Sequence, residues 1–91
     1  MELKVPGGKL ARLTIRNKQV TLSGDFFIYP EEGIVSIERT LTGLRGDEPL
    51  EFIESVLIAT IEKDGLQLIG LDVPAIARLY KGAFHVESPG P

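Results

Sequence analysis

Residues 9–16 alternate apolar and polar side chains: Ala11, Leu13 and Ile15 fall on one side, Arg12, Thr14 and Arg16 on the other. A period of two is that of a half-buried strand. Asn17-Lys18 makes a short turn, with asparagine tolerating a positive φ. Residues 19–28 form the partner strand, with Val20, Leu22 and Phe26 in phase, and the two strands make a hairpin. Gly24 interrupts the second strand and marks a bulge or a close backbone approach. Residues 2–5 predict a short third strand, set off by Pro6-Gly7-Gly8. A hairpin with one apolar face does not stand alone, so the rest of the chain must cover it.

The period changes after Pro30. Proline suits the first turn of a helix, and Glu31 and Glu32 suit its positive end. Ile34, Ile37, Leu41 and Leu44 share one face, and Gly43 is placed to end this helix in a left-handed cap. Asp47 is placed to cap a second helix, with Pro49 in its first turn. Its stripe of Leu50, Ile53, Leu57 and Ile61 is widened by Phe52, Val56 and Ile58, an arc that predicts burial on more than one side. Lys63-Asp64-Gly65 closes it. Residues 66–71 read equally as a strand or an extended connection. Asp72 caps a third helix, with Ile76, Leu79 and Tyr80 inward and an end near Gly82. The expected architecture is a two-layer α+β domain: a three-stranded antiparallel meander followed by three helices packed on it. Residues 1–82 form the domain and 83–91 a tail.

Ninety-one residues make one domain with a modest core. Cysteine is absent, which excludes disulfides, thiolate metal sites and a cysteine nucleophile. The lone histidine, His85, falls on the expected tail, so no base is at hand for a Ser–His or Cys–His pair. The carboxylates sit at helix starts and on solvated faces, where capping and solubility account for them. No apolar run is long enough for a bilayer, and no signal pattern opens the chain; the expected compartment is the cytoplasm. The net charge of −3 hides an asymmetry: residues 1–20 carry five basic residues against Glu2, and the remainder five basic against twelve acidic. The basic segment reads either as a contact for an anionic ligand or partner or as a solvated strand face guarding a sheet edge. The acidic remainder argues against nucleic acid.

Two stretches carry the remaining information. In Lys4-Val5-Pro6-Gly7-Gly8-Lys9-Leu10 the paired glycines and flanking lysines suit a phosphate, yet a strand follows where a P-loop has a helix, and a tight turn reads as well. In Ser23-Gly24-Asp25-Phe26-Phe27-Ile28-Tyr29-Pro30-Glu31-Glu32 the adjacent phenylalanines face opposite sides of a strand. One fills the core; the other is either covered by a helix or left exposed for a partner.

Together the two stretches resemble the C-terminal accessory domain of lipoate–protein ligases, over roughly residues 3–81 and including Leu68-Ile69-Gly70-Leu71. The first motif starts three residues after Met1, and that position resembles the archaeal-type arrangement in which this domain is a separate small subunit. The resemblance implies a non-catalytic partner of a large catalytic subunit. That large subunit binds lipoate, ATP and Mg, forms lipoyl-adenylate and transfers the lipoyl group to a lipoyl carrier domain. It implies no cofactor bound by this chain alone, and an α+β scaffold shared with iron–sulfur assembly proteins. By the same resemblance Lys4, Gly7, Gly8 and Lys9 face the large subunit or its adenylate, with Asp25 and Phe26 near the same edge. Two alternatives stay open: a stand-alone domain that recognises another acyl carrier or small acid, and a domain that self-associates. If the basic segment is a contact surface, the double substitution Lys4→Glu, Lys9→Glu weakens assembly or activation while the melting curve stays within about 0.5 kcal/mol of the parent. Unchanged assembly returns the segment to a solvated strand face.

Overall fold

The hairpin of β2 (Lys9–Arg16) and β3 (Gln19–Gly24) is in register through Leu13 opposite Leu22 and Ile15 opposite Val20. The computed structural model describes the backbone of residues 2–5 and 9–87 and the side chains of residues 10–84. Asn17 and Lys18 hold φ of 52° and 65°, the paired positive values of a tight turn that follows the strand twist. β1 (Glu2–Val5) pairs antiparallel with β2, giving the order β1-β2-β3. Ala11, Leu13, Val20 and Leu22 are buried on one face, while Arg12, Arg16, Thr21 and Ser23 are exposed on the other.

The expected strand over residues 19–28 is two strands. β3 ends at Gly24, and β4 (Phe27–Tyr29) belongs to a second sheet, paired with β5 (Gln67–Ile69). One meander therefore does not describe the strands. The break is physical: Gly24 has φ 146°, and the Asp25 N–H turns back to the Leu10 carbonyl at 2.7 Å. A side chain on Gly24 would collide with that carbonyl and lie 2.8 Å from the Ala11 Cα. The residues read as strand or extended connection are thus strand at Gln67–Ile69.

α1 (Gly33–Thr42) starts later than Pro30 suggests. The Tyr29–Pro30 peptide is cis, Glu31 and Glu32 form a turn, and no acidic residue lies in the first helical turn. Gly33 is buried because Leu66 and Ile28 occupy the space a side chain would need, at 2.6 and 2.8 Å. α1 runs beside β3, the edge of its sheet, and hydrogen-bonds to it. The Leu22 N–H donates to Glu38 Oε2 at 2.7 Å, and the Val20 N–H to Thr42 Oγ1 at 3.1 Å. These contacts occupy edge groups that would otherwise invite another strand. Gly43 ends the helix in a right-handed conformation; the positive φ falls at Gly46, 103°, where a side chain would enter the Phe84 ring.

α2 (Leu50–Asp64) packs on α1 and α3, and its Thr60 hydroxyl meets that of Thr40 at 2.8 Å. Asp47 does not cap it; Pro49 occupies the cap position without a side-chain bond. The apolar arc is buried on one side only, through Ile53 and Leu57, and leaves Leu50, Phe52 and Ile58 exposed. Gly65 closes the helix in the left-handed conformation, with the Leu66 N–H donating to the Ile61 carbonyl at 2.9 Å. α3 (Val73–Glu87) is capped by Asp72, whose Oδ1 accepts from the Ala75 N–H at 2.9 Å. It runs through Gly82, into residues expected to be tail. Ala83 is buried and Phe84 contacts Tyr80, with ring centroids 6.3 Å apart; continued burial outweighs the roughly 1 kcal/mol that an interior glycine costs. Ile76, Leu79 and Tyr80 are inward as expected. The result is a small α+β domain in which α1 and α3 lie against the larger sheet and enclose an apolar core.

Gly24→Ala is expected to cost on the order of 2–4 kcal/mol, from positive φ and overpacking together. Gly65→Ala, with φ 64° and no atom within 4 Å of the new methyl group, should cost about 1–2 kcal/mol. Urea melts of the two variants check this; equal costs would remove the special status of the Gly24 crossing.

Candidate functional site

The structure brings the two sequence motifs to one end of the larger sheet. Lys4 lies in β1 opposite Leu10, and Lys9 in β2 opposite Val5. β3 finishes beside them, with Gly24 opposite Ala11 and the Asp25 N–H on the Leu10 carbonyl. Gly7, Gly8 and the side chains of Lys4 and Lys9 lie outside the described residues. Asp25 is exposed, and Phe26 is half-buried against the core. Gly70, with φ 82°, passes over this corner, and its missing side chain would sit 3.5 Å from the Asp25 carbonyl and 3.6 Å from Phe26.

The phenylalanine next in line is the one that sequence reasoning left out of the site. Phe27 is 72% exposed, Tyr29 68% and Ile69 50%. All three belong to the β4–β5 ladder, where Phe27 is opposite Ile69 and Tyr29 opposite Gln67. The alternating residues, Ile28 and Leu68, pack on the core. Period two showed that Phe26 and Phe27 point apart; only the pairing with β5 shows that no helix covers Phe27.

A groove of about 710 Å³ opens at the other end of the domain. Ile15, Val20, Leu41, Leu44, Tyr80 and Phe84 give it an apolar lining, with Lys18 and Arg45 among its polar residues. Beside it, the loop between α1 and α2 is organised by Glu48. The Arg45 and Gly46 N–H groups donate to its carboxylate at 2.7 and 2.8 Å, while Lys81 Nζ donates to its backbone carbonyl at 2.8 Å. Desolvation acts to raise the Glu48 pKa, but the backbone hydrogen bonds and the Arg45 charge outweigh it, and the net shift is downward. Desolvation raises the Tyr80 pKa, helped by the charges of Glu48 and Asp47. Among the described residues no cluster of three or more His, Asp or Glu side chains could hold a metal. No helix there is long and apolar enough to cross a membrane.

No protein-family model and no curated protein matches the sequence. Among solved structures, the fold is similar to that of a chain from Thermoplasma acidophilum. Its structure is described as an archaeal lipoylation system, a bi-partite lipoate protein ligase and its E2 lipoyl domain. The TM-score is 0.62 at 22% identity, over 88% of this chain and 97% of that one. The two chains are therefore of similar length, and the likeness spans nearly all of both.

Because its pKa is lowered on folding, Glu48 contributes stability above the ordinary carboxylate pKa, and this is lost as pH falls through the lowered value. The Arg45 and Gly46 amide resonances should titrate with a midpoint below that of an ordinary glutamate, and Glu48→Gln should abolish that titration. A midpoint at or above the ordinary value would contradict the loop geometry.

Proposed function

We propose that this chain is the small, non-catalytic subunit of a two-chain lipoate–protein ligase. It binds a large catalytic subunit and supports the ATP-dependent activation of lipoate to lipoyl-adenylate. The observation that carries this reading is the fold similarity, over nearly its full length, to a chain of the structure described as a bi-partite lipoate protein ligase and its E2 lipoyl domain. The convergence of the two sequence motifs at one sheet end supports it. In this reading Lys4, Gly7, Gly8 and Lys9 face the large subunit or its adenylate, and Asp25 and Phe26 stand at the same corner. ATP, Mg and lipoate belong to the large subunit, and the lipoyl carrier domain meets this chain only through it. The setting is cytoplasmic.

A second reading has the groove behind it. Its apolar lining with Lys18 and Arg45 suits a small acid with a hydrocarbon tail, and a stand-alone acid-binding domain would use it.

The deciding assay is adenylate formation from ATP and lipoate by this chain, by the ligase large chain of the same genome, and by their mixture. The proposal expects no activity from this chain and at least a tenfold gain in the mixture over the large chain alone. Activity from this chain alone, or no gain in the mixture, overturns it. Chemical-shift changes at Lys18 and Arg45 on adding octanoate to the isolated chain would favour the second reading.

A further inference from the structure

The outer face of the β4–β5 ladder carries side chains that its fold does not use. In a two-stranded ladder packed on one side, the outer positions are ordinarily polar. Here three of the four hold Phe27, Tyr29 and Ile69, all at least half exposed, with Phe27 directly across from Ile69; the fourth is Gln67, across from Tyr29. They are backed by the core. Ile28 and Leu68 pack on the core, and the bare Gly33 lets Ile28 and Leu66 close up behind the ladder. The sequence flanking the two strands is acidic. Within four residues of either strand the charged residues are Asp25, Glu31, Glu32, Asp64 and Asp72, against Lys63 alone.

We propose that this face is the apolar centre of a protein–protein interface, covered by a partner that presents an apolar pocket rimmed by lysine and arginine. On the lipoate-ligase reading, on which this rests, the partner is the ligase large chain. Exposed aromatics in a polar surround are the usual anchors of such contacts. The acidic flanks select against a second copy, because a two-fold contact centred here would bring two sets of like charges together. The ladder alone is smaller than a stable interface requires. Gly70 joins it to the Asp25–Phe26 corner, so the contact continues toward the end of the sheet where the two motifs meet.

The test measures affinity for the large chain of the same genome by titration calorimetry. The partners are the parent, Phe27→Ser with Ile69→Thr, Glu31→Lys with Glu32→Lys, and a control, Phe52→Ser with Ile58→Ser, on the exposed flanks of α2. Circular-dichroism melts establish that each variant is folded. The proposal expects about thirtyfold weaker binding for the ladder variant, weaker binding for the charge reversal that is lost at high salt, and parent-like binding for the control. Parent-like binding by both ladder and charge variants, or equal loss in the control, overturns the inference while leaving the ligase reading in place. No binding by the parent overturns the ligase reading itself. A parent homodimer in sedimentation that the ladder variant dissolves, with large-chain affinity unchanged, identifies a second copy as the occupant and also overturns the inference.

Discussion

The close crossing of Gly24 over the start of β2 is the constraint from which the rest of the domain follows. With φ 146° and no room for a side chain, the backbone leaves the sheet there, and the Asp25 N–H is anchored to the Leu10 carbonyl. A continuous strand through residue 28 would have kept Phe26 and Phe27 on the two faces of the larger sheet. Instead the chain turns out of it and meets β5, far along the sequence, in a second ladder. The turn carries α1 to the open side of β3, where Glu38 and Thr42 bond the edge N–H groups.

The two ladders are managed differently. The β3 edge of the larger sheet is occupied by side chains of α1, and the outer face of β2 and β3 carries Arg12, Arg16, Thr21 and Ser23. Both features discourage unintended strand pairing. The smaller ladder has no such treatment on its outer face, which displays Phe27, Tyr29 and Ile69. The described core is apolar, and no buried side-chain polar atom in it lacks a partner.

Much of the fold was legible because its signals are local. The alternation in residues 9–16, the Asn17-Lys18 turn, the Asp72 cap and the Gly65 stop are each set by a few adjacent residues, and each is found. The pairing of β4 with β5 was not legible. Strands of three residues carry too little periodicity to reveal a partner, and their contact is long-range. The extension of α3 past Gly82 was hidden because glycine is a poor local signal once Ala83 and Phe84 have surface to bury. Similarly, Glu48 rather than Asp47 holds the α1–α2 loop, because the loop folds back on Arg45 and Gly46 instead of forming a simple cap. Of the expected site residues, Asp25 and Phe26 fall at the corner beside Leu10. Phe27 was passed over because exposure depends on what the rest of the chain leaves uncovered.

Hydrogen–deuterium exchange of this chain, free and mixed with the large chain of the proposed ligase, tests the central claim most directly. The account predicts slowed exchange in residues 24–29 and 67–70, with residues 15–18 and 42–45 around the groove unchanged. Protection confined to the groove or to α2, with the β4–β5 ladder exchanging as in the free chain, would contradict it.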